Sequence, residues 1–554
     1  MNQQPPQTEQ IKTPKKPKDW SNLIFFGICI IVVLILYGTT ITGDFVFDDR
    51  GIIEHQEMLS NIQSLDEVAL YPYWTESAGL YRPTTLISYA LNAIVFGISP
   101  ISFHIINLLL YALTGFLLYL LIKKLSKNKN LAGITSIIFL IMPIHSEVVG
   151  NIIGRAEIFA LLFSLLVLLS LLKKYHISKQ IKIFRYWPMF FWILLAMGSK
   201  EVAIAIAPIA ILMVYSVEKN FWSKETLKKY LPAGLWTGLG LATYFVLRLI
   251  VLGPQHFLGV ETSIVENPLK FTSAGNRITT ALSILTKYFQ KSFIPTNLCS
   301  DYSYNQIPIL HNFFNIGTIL GAIIVISSAI LTIIYIRKKP IISIASSFFF
   351  FGFLPTSNIV FGTGTIMGER LAYFPSVGLS ILFGYIIFRV TRKLKRSHFL
   401  YLVLILITVC SIWYSAISYS RGKVWKSERT LFESAAECSP NSVLSVSNLG
   451  SIYYIEGNIP KAKETLIRAR SIYDGYTKGI NNLGLVYWKE GDNKKARELF
   501  LGALDGEFPY PGAYENLALV SIQEGKLDEA RGWLLKLYYG DPVAVEKYLQ
   551  NIIR

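Results

Sequence analysis

Residues 43–50 read Gly-Asp-Phe-Val-Phe-Asp-Asp-Arg and contain an adjacent carboxylate pair, Asp48 and Asp49. The pair stands a few residues after the first long apolar run, where a chain leaving a bilayer meets water. A carboxylate at that level is a candidate general base for chemistry at the membrane surface. Other ionisable side chains recur in alternate loops. They are Arg82 in Tyr81-Arg82-Pro83, His145 and Glu147 in His145-Ser146-Glu147, and Arg155 in Gly154-Arg155-Ala156-Glu157. Lys200 and Glu201 follow in Ser199-Lys200-Glu201, then Asp301 in Asp301-Tyr302-Ser303, then Glu369, Arg370 and Tyr373 in the run 368–376. Ionisable groups at bilayer depth are expensive, and they usually line a pathway or a site.

These residues suit transfer of a group from a membrane lipid phosphate. A sugar on such a lipid presents its anomeric carbon at head-group level. Attack by a hydroxyl needs a base, the role of Asp48 or Asp49. The departing phosphate gains charge, and the planar fork of Arg meets its oxygens at two points, which suits Arg155 and Arg370, with Lys200 as a third cation. Arg82, His145, Glu147, Glu201, Asp301, Glu369 and Tyr373 are supporting candidates. Plainer readings stand beside these. Arg155 and Glu157 could pair at a helix start, Lys200-Glu201 could be a charged turn, and His145 an interfacial hydrogen-bonding group. Two adjacent Asp side chains with water could also hold Mg²⁺ or Mn²⁺, so a divalent cation at Asp48 and Asp49 stays open. No nucleotide-binding glycine loop or D-x-D motif on a soluble domain is present, which argues against a nucleotide-sugar donor.

The elements that must position these residues are membrane helices. The chain has 554 residues, of which 52% are hydrophobic. Crossing a bilayer takes roughly 20 apolar residues. Runs at 21–41, 103–122, 232–252, 313–336, 341–361, 371–389 and 399–419 meet that length, and shorter ones lie at 131–144, 156–172, 187–196 and 202–215, for eleven expected spans. The first is read as a retained anchor, since no small-x-small cleavage site follows it. Segments at 84–98 and 276–293 are read as helices lying at the interface. Lys and Arg concentrate in alternate segments, at 12–18, 123–129, 173–185, 219–229, 337–339 and 392–396. The positive-inside rule then puts the N-terminus, with a disordered tail over 1–20, in the cytoplasm, and the C-terminus outside a cell membrane. The net charge of +17 is scattered over short loops. It reads as topology bias and attraction to anionic lipid, not nucleic-acid binding. Cys299 and Cys438 both fall on the oxidising side, which leaves a disulfide open.

After residue 421 the pattern changes. Asn448-Leu449-Gly450, Asn482-Leu483-Gly484 and Asn516-Leu517-Ala518 recur every 34 residues, as do Gly457, Gly491 and Gly525, and Ala462, Ala496 and Ala530. That period, with small residues where two helices cross, is the tetratricopeptide pattern. The expected architecture is all-α: a polytopic helix bundle over 21–420 with a catalytic first loop at 42–102, then a helical solenoid over 421–554 with three repeats and flanking helices. The segment 425–438 is expected to cap the array against the membrane.

Phe-x-Phe-Asp-Asp after the first helix, Arg-Pro, Pro-x-His-Ser-Glu-x-Val with Gly-Arg-Ala-Glu, Ser-Lys-Glu, Asp-Tyr-Ser and Glu-Arg-x-x-Tyr-x-Pro-Ser occur in that order before the repeats. In this the chain resembles the transmembrane and tetratricopeptide-repeat-containing O-mannosyltransferases of the GT-C superfamily. The resemblance implies inverting transfer of a sugar, typically mannose, from a polyprenyl or dolichyl phosphate to protein Ser or Thr. It implies a catalytic role for Asp48 and Asp49, and assigns the family's arginines to Arg155 and Arg370. Met142 stands where the family usually has a His. The repeats would bind the acceptor protein or a partner. Two other readings remain at this level: a ligase or oligosaccharyltransferase using lipid-linked oligosaccharide, and a non-enzymatic membrane-anchored repeat scaffold.

Overall fold

The computed structural model describes residues 20–62, 64–74, 79–172, 183–257, 261–394, 399–506 and 508–553. Residues 1–19 of the expected tail over 1–20 and much of the basic segment 173–185 lie outside them. Among the described residues every regular element is helical, as expected. Seven helices are long and apolar enough to cross a membrane: Ser21–Thr42, Pro100–Ser126, Ile152–Leu171, Lys224–His256, Ile316–Lys338, Glu369–Lys393 and Phe399–Val424. An eighth candidate is Lys129–Ile141 with Pro143–Gly150, bent by 53° between them. Pro143 explains the bend, since it has no N–H to continue the ladder. The remaining three expected spans are shorter helices, Pro188–Met197, Ile206–Val217 and Pro340–Phe353. Length and composition thus single out seven or eight of the eleven.

The helices differ in what surrounds them. Ile152–Leu171 is mostly enclosed by its neighbours, whereas Phe399–Val424 turns Leu402, Ile405, Leu406, Val409 and Ile412 outward. Such an outward apolar face has no place in water and suits lipid. Close approach in the interior uses small residues. Gly115 lies against Leu140, and the Ser136 hydroxyl donates to the Gly115 carbonyl at 2.7 Å. The helices Pro83–Phe96 and Ala274–Phe293 form at the two segments read as interfacial, and the first leaves Leu91, Ile94, Val95 and Phe96 exposed.

The C-terminal part is built of helix hairpins. Val443–Ile455 pairs with Ile459–Ile472, Thr477–Lys489 with Asn493–Gly502, and Gly512–Gln523 with Leu527–Leu537, and Pro542–Ile553 closes the row. The periodic glycines have two uses. Gly450 and Gly484 lie against Leu466 and Phe500 of the partner helix. Gly457, Gly491 and Gly525 take φ of 78°, 87° and 76°, the left-handed turn that ends each first helix.

The array is fastened to the bundle. Cys299 and Cys438 form a disulfide with Cα atoms 5.8 Å apart. The Asp301 carboxylate accepts from the hydroxyls of Ser442 and, at 2.8 Å, Ser445, and the Ser439 hydroxyl donates to the Asp301 carbonyl at 2.6 Å. The helix Glu428–Cys438 opens with a capping box of Ser427 and Thr430 and stands between the array and the membrane helices, where a cap was expected.

Candidate functional site

The polar motifs meet at one end of the bundle, because consecutive helices return them there. The tightest junction is Asp49. It is fully buried, and its carboxylate accepts backbone N–H bonds from Ile153 at 2.9 Å, Val46 at 3.3 Å and Ile152 at 3.4 Å. It ties the first loop to the second. Burial, opposed by these N–H groups, pushes its carboxyl up to about 8. Asp48 is different. It is partly exposed, and its carboxylate has no hydrogen-bond or ion-pair partner among the described residues. Burial holds its carboxyl above the usual carboxylate range, while the Arg370 charge pulls the other way, followed by Lys478 and Arg82. The structure therefore separates the pair into one anchored and one free carboxylate.

Around Arg370 is a small cavity lined by Glu157, Lys200, Arg370 and Tyr373, with Val202, Leu371 and Phe374 as apolar wall. Four buried or half-buried ion pairs lie at the cavity or near it. Lys200 pairs with Glu157. Arg370 Nη1 lies 3.2 Å from Glu147 Oε1, and its backbone N–H donates to Glu147 Oε2 at 2.8 Å. Glu201 is held between Arg82 at 3.2 Å and Arg248 at 3.3 Å. Burial pushes the Lys200 ammonium down, against the pull of Glu157. Burial also raises the Glu201 carboxyl, but Arg82 and Arg248 outweigh it and hold the group below its ordinary range. Among the described residues Arg370 Nε and Nη2 have no partner, and its side chain is 28% exposed. Two of its donors thus remain for a ligand.

Other expected site residues stand elsewhere. Arg155 is not at the cavity. Its guanidinium is fully buried and donates to Asn107 Oδ1 at 2.6 Å, Asn92 Oδ1 at 3.0 Å, and the carbonyls of Phe103 at 3.1 Å and Ser88 at 3.3 Å. It also faces the rings of Tyr89 and Phe103. A cation so enclosed has no surface to offer a phosphate, so the expectation that it binds one is corrected: Arg155 braces the first loop's helix against Pro100–Ser126. Nor does it pair with Glu157, which goes to Lys200. His145 is likewise enclosed, with Nδ1 2.8 Å from the Tyr111 hydroxyl and Nε2 2.7 Å from Ser376 Oγ. Asp301 docks the repeats. Glu369 is buried beneath the site and accepts from the Cys299 N–H and the Tyr302 hydroxyl, each at 2.6 Å. The Tyr373 hydroxyl makes no hydrogen bond of good geometry among the described residues; Thr114, which faces it, donates to the Leu110 carbonyl.

The acidic pair makes a poor metal site. Asp49 spends its oxygens on three N–H groups, and no cluster of three or more His, Cys, Asp or Glu side chains suited to a metal occurs among the described residues. Four residues of the site region escaped sequence reasoning. Glu157 was visible only as a partner for Arg155. Arg248 stood out as a charge inside an apolar run, a signal in itself. Glu266 and Lys478, which act electrostatically on Asp48, gave none, being ordinary surface charges in sequence.

Comparison with known proteins bears on the chain as a whole. The tetratricopeptide repeat family matches residues 478–505. A protein O-mannosyl-transferase of Caenorhabditis elegans is 26% identical over 475 residues, covering 84% of this chain and 65% of its own length. The human protein O-mannosyl-transferases TMTC4 and TMTC3 are 25% and 24% identical, over 80% and 81% of this chain and 65% and 52% of theirs. The chain thus spans between about half and two thirds of these relatives. Similarity over some four fifths of its residues, with the repeat in place, makes the chain a relative of the protein O-mannosyl-transferases.

Proposed function

We propose that the protein is an integral-membrane glycosyltransferase that moves a sugar, mannose by analogy with its relatives' names, from a polyprenyl phosphate to a protein Ser or Thr hydroxyl. The observation that carries this is a carboxylate, Asp48, without hydrogen-bond or ion-pair partner among the described residues, lying in the field of an arginine, Arg370, that keeps two donors free and lines a cavity with an apolar wall. In one displacement the acceptor hydroxyl attacks the anomeric carbon and gives its proton to Asp48. The bond from that carbon to the phosphate oxygen breaks, the configuration inverts, and the charge left on the lipid phosphate meets Arg370 and Lys200. Stabilising charge that develops only in the transition state is what raises the rate. Glu147 and Glu157 hold these two cations in place. Lys200 leans toward the phosphate by loosening its pair with Glu157.

The topology proposed from charge places this end outside the cytoplasm, with the repeats. The Cys299–Cys438 disulfide supports that side, since such bonds persist in oxidising compartments. The test is transfer of radiolabelled mannose from polyprenyl-phosphate mannose to protein in membranes. Wild type labels protein, and Asp48→Asn loses about a thousandfold, the scale of a general base. Because the Asp48 carboxyl sits above the usual range, kcat/KM falls as pH is lowered through a value above that of a free carboxylate. Wild-type rates from Asp48→Asn would remove the assignment. Absence of transfer by the wild type, with label from a pyrophosphate-linked oligosaccharide instead, would move the protein to the ligase class.

A further inference from the structure

Asp48 and Arg370 come from loops more than 300 residues apart, yet both rest on the same short helix, Glu428–Cys438, which heads the repeat array. On one side this helix carries the loop of Asp48. Phe47 packs edge to face on Phe432 with ring centroids 5.7 Å apart, and Val46 is fully buried with Leu431 and Trp425. Arg50 Nη1 lies 3.1 Å from Glu428 Oε2, and the Asp44 N–H donates to the Lys426 carbonyl at 2.9 Å. On the other side the same helix reaches Arg370. Cys438 is bonded to Cys299, whose N–H, with the Tyr302 hydroxyl, holds the buried carboxylate of Glu369.

The backbone next to Asp48 shows why such support is needed. Phe47 has φ of 54°, a left-handed conformation that costs a bulky L residue free energy. A strained residue persists only where its surroundings over-determine it. Here the surroundings are the Asp49 bonds on one flank and the Phe432 ring on the other. Neither Phe432 nor Glu428 lines the cavity.

We propose that Glu428–Cys438 is a positioning element of the active site, with Phe432 setting the Asp48 loop and the Cys438–Cys299 link setting Glu369-Arg370, so that the repeat array is part of the catalytic unit. The proposal rests on the glycosyltransferase reading for its kinetic test but not for its structural one.

The full-length protein in membranes is assayed for mannose transfer as Phe432→Ala, Phe432→Leu and Cys299→Ser/Cys438→Ser. Misplacing a reacting group by about 1 Å costs on the order of a hundredfold, so Phe432→Ala lowers kcat by about tenfold or more with KM for the lipid donor within about twofold, and Phe432→Leu recovers most of it. The acidic limb of the pH profile also moves in Phe432→Ala, because the surroundings of Asp48 change. The cysteine pair also lowers kcat, since it acts on Arg370, whose charge in turn bears on the Asp48 carboxyl. A wild-type kcat and pH profile for Phe432→Ala would overturn the proposal. The second measurement needs no activity. The thiol introduced by Asp48→Cys, in a Cys410→Ser background, is titrated with a charged methanethiosulfonate. The reaction speeds up severalfold when Phe432→Ala is added if Phe432 holds the loop, and an unchanged rate would again overturn the proposal. A wild type that transfers no sugar counts against the glycosyltransferase reading alone, and the thiol rates then decide the positioning role.

Discussion

The charges of the site and those of the repeats are arranged on opposite principles. At the site Lys200 and Glu157 have side-chain exposures of 11% and 6%, and Glu147 is 1% exposed beside Arg370. In the array Lys463 and Glu490 are 32% and 33% exposed at 2.7 Å, and Arg531 and Glu546 are 45% and 52% exposed at 3.0 Å. Taking ions out of water costs several kcal/mol each, so buried pairs are weak devices for stability. Exposed pairs cost little and return little. A chain that keeps its most buried pairs around one cavity, and pairs exposed by a fifth or more along its solenoid, fits the proposed use of the first set for chemistry and leaves the second for solubility.

That contrast can be broken by single changes, beginning at the site. Lys200→Met leaves Glu157 buried without a partner and destabilises the protein by about 3–5 kcal/mol. Adding Glu157→Gln restores most of that stability but not transfer, as thermal unfolding and label transfer on the same membranes will show. Recovery of transfer by the double variant would mean that the pair is structural only.

Asp49 sharpens the comparison within the acidic pair. Its folded carboxyl titrates near 8, above an unfolded value of about 3.9, so the folded state binds the extra proton between those values. Stability contributed by Asp49 is therefore complete at low pH and is lost as pH rises toward about 8. Melting temperature should fall over that window in the wild type and fall less in Asp49→Asn. A slope the same in both would place the titrating group elsewhere.

The smallest effect belongs to the array. Lys463→Ala or Arg531→Ala changes stability by no more than about 0.5 kcal/mol and leaves transfer unchanged. A loss of acceptor binding from either would instead mark that surface as a contact for protein substrate.

Much of this molecule can be read locally. A helix that spans lipid must be apolar along its length, which is why all eleven apolar runs are helices, though three are shorter than a full crossing. A stacked hairpin must place small residues at each crossing, which is why Gly450, Gly484 and their period marked the repeats. The collection of Asp48, Arg370, Lys200 and Glu157 at one end follows from the alternation of spans and loops alone. Arg155 shows where such reading stops. Its position before a span suggests a ligand arginine, and nothing nearby in sequence announces that Asn92 and Asn107 enclose it.

The sequence by itself determined the membrane helices, the 34-residue repeat and the set of charged loops, because periodicity and hydropathy act within one turn or one span. Tertiary structure alone decided which members of that set are free. Asp48 and Asp49 are chemically identical neighbours, and only the approach of Ile152 and Ile153 from another loop consumes one and spares the other. The same holds for Cys299 and Cys438, 139 residues apart, which become partners only once the array is docked. A side chain's partners are set by distances in space, and those are fixed when the helices pack.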